Sequence, residues 1–420
     1  MSRRLLVIAY YFPPMGMSGV QRVTKLVKYL PEYGWQPTVL TVEPGGYFAF
    51  DPSLLREVEA AGIDIIRTKS IDPTRLFKRG TAVPVQRDST RRSWSESSQW
   101  VFVPDNKIGW LPFAVRAAKQ AASRMSFEAV LSSAPPYTGH LVGRRVSKAL
   151  GIPLVTDFRD DWLGNPRHVY PTVVHRRWHE RLERSVLHHS VFSTTINTTI
   201  RDRLRRAAPE SDIRVFEQGF DPVDILPSQA DANAKCVFTY TGVFYDAQKP
   251  DAFLKALHSA IESGRIERNE VSARFVGLFT EAGHRLIEEL ELGDVVELVG
   301  YVEHHLVRQH LAEANVLWMI VGRRPGAGSI STGKLFEYIG TRKPILGLVP
   351  DGTAADTLWQ YGNSHIVDPD DIDAVTDGIV QYVEQWRVKQ LGWANEALCA
   401  AYDRRKSAGR MANWLNDVVE

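Results

Sequence analysis

An α/β chain of two successive, doubly wound parallel-sheet domains is predicted from three observations. Short apolar runs alternate with amphipathic segments of helical length. The alternation restarts after a polar, proline-bearing stretch at 222–233. The chain's 420 residues also exceed what one ordinary core accommodates. Each array is then of a size to form a Rossmann-like unit.

In the first array the apolar runs at 5–10, 38–42, 63–67, 129–133, 154–158, 192–196 and 213–217 read as strands. Alternating with helix-length amphipathic segments, such runs are the pattern of a parallel sheet with crossover helices. Helical periodicity is clearest at 20–30, 111–122, 139–150 and 175–187. In the second array, strands are expected at 237–241, 273–276, 296–299, 316–320, 345–348 and 366–367. These readings divide the chain into residues 1–221 and 222–405. The amphipathic stretch at 406–420 is free to pack on either half, including back on the first.

Composition narrows the function classes. Hydrophobic residues make up 44% and charged residues 24%, the balance of a globular protein rather than a disordered one. Fifty-one Lys and Arg against forty-nine Asp and Glu leave a net charge of +2, so no global field favours nucleic acid, and anion binding must be local. Two cysteines, Cys236 and Cys399, far apart in sequence, argue against a disulfide framework and point to a reducing cytoplasm. The run at 5–12 is short, ends in Pro13-Pro14 and lacks a small-residue cleavage site, so it does not read as a signal peptide. No stretch nears the ~18 apolar residues of a spanning helix. The expected location is therefore cytoplasmic, or peripheral at the inner face of the plasma membrane.

Three segments carry candidate chemistry. After the first strand, Gly16 and Gly19 allow a ligand close to the backbone, a helix N-terminus follows, and Arg22 adds charge if it faces the ligand. The spacing is not the dinucleotide fingerprint, and a tight turn alone would also explain the glycines. At the end of the run 154–158, Asp157, Arg159, Asp160 and Asp161 cluster where open α/β sheets place ligands. Such carboxylates bind hydroxyls or act as acid and base, or else pair with Arg159 in a purely structural network.

The third segment runs Gly326-Ala327-Gly328-Ser329-Ile330-Ser331-Thr332-Gly333-Lys334-Leu335-Phe336-Glu337-Tyr338. A Gly/Ser loop leads into a helix bearing Lys334 and Glu337 three residues apart, on one face. Backbone N–H groups and Lys334 suit a diphosphate, and Glu337 can accept both hydroxyls of a ribose. It is not a Walker A loop, because Leu335 follows Lys334. His188-His189 and His304-His305 are adjacent pairs, whose side chains diverge on a helix, so no metal cluster is expected. The segment 75–99, with Arg75, Lys78, Arg79, Arg87, Arg91 and Arg92 and ending at Gln99, reads as a solvated loop or as a basic lip for membrane contact.

On these residues the chain resembles the family 4 glycosyltransferases, retaining nucleotide-sugar enzymes of the GT-B fold, over essentially its whole length. The most specific stretch is Ser331 to Tyr338 with Lys343-Pro344 after it. The resemblance implies two Rossmann-like domains facing a central cleft, with Glu337 on the nucleotide ribose and Gly328, Ser329, Ile330, Ser331, Thr332 and Lys334 about the diphosphate. Tyr240-Thr241-Gly242-Val243-Phe244-Tyr245 resembles the opening strand of the family's second domain. Lys249 is then the basic residue beyond that strand, and Gly277 lines the base pocket. Gly16 and Gly19 match the acceptor and phosphate loop. Pro135-Pro136 with His140, the Asp157 to Trp162 run, and Pro104-Asp105 with Trp110 resemble a bacterial subgroup that builds cell-surface polysaccharides.

Two departures stand out. The family carries two glutamates separated by seven residues; Glu337 matches the second, but Ser329 occupies the first position. Many members also have a histidine where this chain has Arg159 among aspartates. The implied activity is transfer of a sugar from a nucleoside diphosphate sugar, UDP by default, to an acceptor hydroxyl held by the first domain. The acceptor implied is a lipid-linked glycan precursor, and no obligatory metal or other cofactor is implied. A non-catalytic sugar-nucleotide-binding subunit, suggested by Ser329, and a GT-B sugar-nucleotide epimerase are the alternatives.

Overall fold

The computed structural model describes residues 2–16, 18–45, 50–73, 99–165, 168–230, 234–244, 248–392 and 394–419. The chain divides into two compact units, Met1–Glu217 with Arg404–Glu420, and Gln218–Asp403. The basic segment is described only at Gln99, since residues 74–98 lie outside the described set, as does Tyr245.

The first unit carries a parallel sheet of β1 (Arg3–Ile8), β2 (Trp35–Val42), β3 (Asp64–Thr68), β4 (Ala129–Ala134), β5 (Leu154–Phe158), β6 (Phe192–Thr195) and β7 (Ile213–Val215). Their spatial order is 3-2-1-4-5-6-7. The second carries β8 (Cys236–Thr241), β9 (Val271–Val276), β10 (Val296–Gly300), β11 (Val316–Ile320), β12 (Ile345–Leu348) and β13 (Ser364–Val367), in the order 10-9-8-11-12-13. Both are doubly wound sheets, with strand order reversing between β1 and β4 and between β8 and β11. Ligands of such sheets sit at these reversals, beyond the carboxyl ends of the strands.

Each sheet is covered on both faces. In β1, Leu6 and Ile8 enter one core while Leu5 and Val7 enter the other. In β11, Val316, Trp318 and Ile320 alternate with Leu317 and Met319 in the same way. This two-sided burial is why the buried part of β1 and the whole of β11 are legible as unbroken apolar runs. β1 begins two residues earlier than its apolar run, because Arg3 pairs in register with Trp35 and reaches Asn416 at 2.8 Å.

The C-terminal helix Arg404–Val419 packs on the first unit, burying Ala408, Met411, Ala412 and Leu415 in its core. Trp35 Nε1 donates to Asn416 Oδ1 at 2.9 Å. The stretch beginning at Pro222, expected to be a linker, is instead tied to the second unit. Gln229 N donates to the Ala312 carbonyl at 2.9 Å, and Lys343 Nζ reaches Ser228 Oγ at 3.1 Å.

Candidate functional site

In the second unit, parallel strands bring the loops after β8, β9, β11 and β12 to one edge of the sheet. Gly242 and Gly277 end β8 and β9 with φ of +121° and +137°. A Cβ on Gly277 would lie 2.0 Å from the Gly242 carbonyl oxygen, so the two chain turns approach as only glycine permits. Gly328 makes a similar contact with the loop after β12, where a Cβ on Gly352 would lie 2.3 Å from the Gly328 carbonyl. Ser329 turns back on its own loop, donating to the Gly326 carbonyl at 2.9 Å.

The helix Gly333–Thr341 starts at this edge, with Thr332 as its N-cap. It is pinned from below by Tyr338, whose buried hydroxyl accepts from Thr241 N at 2.8 Å. Its first turn carries Lys334. The ammonium sits 3.5 Å from the centroid of the Tyr240 ring, which itself stacks on Phe244 at 4.2 Å. Among the described residues Lys334 has no hydrogen-bond or ion-pair partner. Burial drives its pKa down to about 7, and the nearby Glu337 only partly opposes that.

The Thr332 hydroxyl makes no capping bond. Both Ser331 Oγ and Thr332 Oγ1 are buried without a hydrogen-bond partner among the described residues. A helix N-terminus, two hydroxyls without a partner among the described residues and, beside Gly242, a desolvated cation thus fall within four residues, 331–334, and an anion would suit all of them. Lys249 is exposed just before the helix Asp251–Glu262 and has no ion-pair partner among the described residues. Lys343 is turned inward, donating to the Ala312 and Ala314 carbonyls.

In the first unit, the carboxylates grouped by sequence separate by burial. Asp157 is 2% exposed and receives Arg22 in a two-point ion pair at 2.8 and 3.0 Å. Ser133 and Thr194 each add a hydrogen bond at 2.9 Å. Burial alone would raise this carboxyl, but Arg22 in particular holds it below its ordinary value. Arg22 also donates to the carbonyls of Phe216 and Glu217 and lies over the Phe216 ring. Its charge is thus spent internally, and the charge expected for a ligand is not on offer from this side chain.

Arg159 is equally committed. It is 6% exposed and donates to the carbonyls of Gly19, Ala134 and Pro135, lashing the start of the helix Ser18–Tyr29 to the ends of β4 and β5. A Cβ on Gly19 would lie 2.6 Å from Arg159 Nη1, so that glycine makes room for the guanidinium. Gly16 sits in the turn just before, beside the Met15–Phe50 bridge.

His140 is fully buried, paired through Nδ1 with Ser132 Oγ at 2.8 Å, and burial lowers its pKa to about 3. It is a neutral core group. Asp161 forms an ion pair with Arg203, which also grips the fully buried Glu183 at 2.7 Å. Asp160 alone of the three aspartates is exposed, without a hydrogen bond or ion pair among the described residues.

Sequence reasoning did not find Arg203, Glu183, Ser133 or Thr194, which are joined to the aspartates only through the fold. Among the described residues, no group of three or more His, Cys, Asp or Glu side chains gathers as a metal site. Nor is any described helix long and apolar enough to cross a membrane.

No protein-family model and no curated protein sequence matches the chain. Solved structures do. Sucrose-phosphate synthase from Thermosynechococcus elongatus superposes with a TM-score of 0.69 at 14% identity, covering 99% of this chain and 98% of that one. HepE from Anabaena, in complex with UDP-glucose, gives 0.66 at 14% identity and 99% coverage of both chains. A Listeria monocytogenes protein assigned as a UDP-N-acetylglucosamine 2-epimerase gives 0.57 at 12% identity, covering 98% and 95%. At such identities the likeness speaks for architecture alone, and that architecture, two doubly wound sheets in tandem, is the GT-B fold.

Proposed function

We propose that the chain transfers a sugar from a nucleoside diphosphate sugar, UDP by preference, to an acceptor hydroxyl. The observation that carries this reading is Lys334, a buried cation held over Tyr240 with no hydrogen-bond or ion-pair partner among the described residues, at a helix start with two hydroxyls likewise unsatisfied among them. The diphosphate accepts from the N–H groups of that helix start, from Ser331 and Thr332, and from Lys334, with Lys249 adding charge from outside. Glu337, one helical turn on, accepts from the ribose hydroxyls. HepE, similar over its whole length, is described in complex with UDP-glucose, which supports the same class of donor here.

In the transfer, the acceptor oxygen forms a bond to the anomeric carbon while the bond from that carbon to the diphosphate oxygen breaks. The acceptor proton passes to the departing diphosphate, and the lysine and backbone dipoles stabilise its growing charge. We assign retention of configuration and independence of metal by resemblance. Asp160, exposed and without an ion pair among the described residues, binds the acceptor hydroxyl, whereas Asp157, Asp161 and Arg159 hold the loops in place. A glycan precursor on a lipid carrier is the acceptor we favour, encountered at the inner face of the plasma membrane.

The likeness to an epimerase at a TM-score of 0.57 favours a second reading, isomerisation of a nucleotide sugar without any acceptor. Incubation of purified protein with UDP-sugars separates the two. Release of UDP, stimulated by a lipid-linked glycan, is the expected outcome, and an isomerised nucleotide sugar with no UDP released would favour the epimerase. Glu337→Ala should abolish nucleotide binding in a folded protein; unchanged binding and turnover would overturn the assignment.

A further inference from the structure

The helix Val173–Leu187 is amphipathic in an inverted sense over its first half. Its buried residues include His179 and Glu183, the latter paired with Arg203, whereas Val173, Val174 and Trp178 face outward. Residues 174 and 178 are spaced by four, as are 173, 177 and 181, so all five share one exposed face.

The segment from Gln99 to Val101 lies against the start of this helix. Val169 N donates to Gln99 Oε1 at 2.6 Å, the Trp100 carbonyl lies 3.3 Å from His175 Nε2, and the Trp100 and His175 rings meet at 6.2 Å. Trp100, Val101, Val169, Val173, Val174 and Trp178 thereby gather as one apolar patch, each between 45% and 74% exposed. Scattered surface apolar residues are ordinary, but a contiguous set with two tryptophans is not. Interleaved on the same face are Arg177 and Arg181, both exposed and without an ion-pair partner among the described residues, while Arg176 is neutralised by Glu180 at 3.2 Å.

We propose that this face docks on the surface of an anionic phospholipid bilayer, Trp100, Val173, Val174 and Trp178 entering the headgroup boundary and Arg177 and Arg181 pairing with lipid phosphates. Charge complementarity selects this occupant. A protein partner would call for charges gathered into a rim, whereas apolar and basic residues alternating along one helix face suit an interface where both depths are met at once. Tryptophan's amphipathic ring favours the same boundary. The surface belongs wholly to the first unit and does not depend on the assignment of the donor site, so the two stand or fall separately.

The test is co-sedimentation of the full-length protein with vesicles of phosphatidylcholine alone or with 30% phosphatidylglycerol, at low and high salt. Binding to the anionic vesicles, weakened by salt, is expected. Neutralising Arg177→Gln and Arg181→Gln together should lower partitioning about thirtyfold, from ~1 kcal/mol per basic residue at an anionic surface. Val173→Ser, Val174→Ser and Trp178→Ser together should lower it at least tenfold with the thermal midpoint unchanged, since all three side chains are exposed. Failure of the wild type to bind anionic vesicles at low salt would overturn the proposal. So would binding by both variants equal to that of the wild type, or a concentration-dependent dimer that the serine variant abolishes.

Discussion

Lys334 offers a perturbation that needs no substitution at all. With its pKa near 7 in the free protein, about half the population is charged at pH 7 and about one in a hundred at pH 9. A diphosphate bound beside it favours the ammonium and raises that pKa, so binding must take up a proton whenever the lysine starts neutral. The dissociation constant for UDP should therefore rise about fiftyfold between pH 7 and pH 9 if the bound-state pKa lies well above 9. The second ionisation of a phosphate, near 6, lies below this window and does not mask it.

Calorimetric titration at pH 7, 8 and 9 and constant ionic strength reads both quantities. Affinity falls, and at pH 8 about 0.9 proton is absorbed per nucleotide, measured by comparing buffers of different ionisation enthalpy. Lys334→Arg, which stays charged throughout, should flatten the profile. A flat profile in the wild type, or the same slope in the arginine variant, would refute the reasoning.

The same lysine leaves a mark on stability with a sign that can be worked out. Its folded pKa is lowered, so between about 7 and the ordinary lysine value the unfolded chain binds more protons, and stability rises with pH across that window. Lys334→Met should remove this rise and leave the ligand-free protein more stable at pH 6, read by urea denaturation at pH 6 and 9. Arg22→Met strands the buried Asp157 carboxylate and should cost about 3–5 kcal/mol. Adding Asp157→Asn should recover part of that in the same denaturation assay. Gly277→Ala places a methyl group against the Gly242 carbonyl at a φ of +137°, so both the melting temperature and the thermal response to UDP should fall. Asp160→Asn should leave melting and UDP affinity unchanged while lowering transfer at least tenfold, a split that calorimetry and a UDP-release assay resolve.

Central strands such as β1 and β11 could be read in advance because both of their faces are buried, which leaves the period-two alternation nowhere to appear and produces apolar runs. The helix Leu111–Ala122 was legible for the complementary reason, since only one stripe of it, including Ala114, Ala118 and Ala121, is buried. The Gly/Ser loop and the helix bearing Lys334 were legible because their chemistry is local, with residues 326–337 adjacent in sequence.

The first-unit site was only half legible. Asp157, Asp160 and Asp161 are near neighbours in sequence, but the strand's alternation and the turn after it send them to three environments. Their partners Arg22 and Arg203 lie 135 and 42 residues away, where no spacing rule reaches. The same limit hid the seat of Lys334, because Tyr240 meets it only where β8 runs beside the start of a helix almost a hundred residues later.

The most direct test of the central claim is titration of UDP into the wild-type protein and into Lys334→Ala at pH 7, by calorimetry. The account predicts saturable one-site binding that the alanine variant loses while keeping its fold. Binding of equal strength by the variant, or no binding of any nucleoside diphosphate by the wild type, would contradict it.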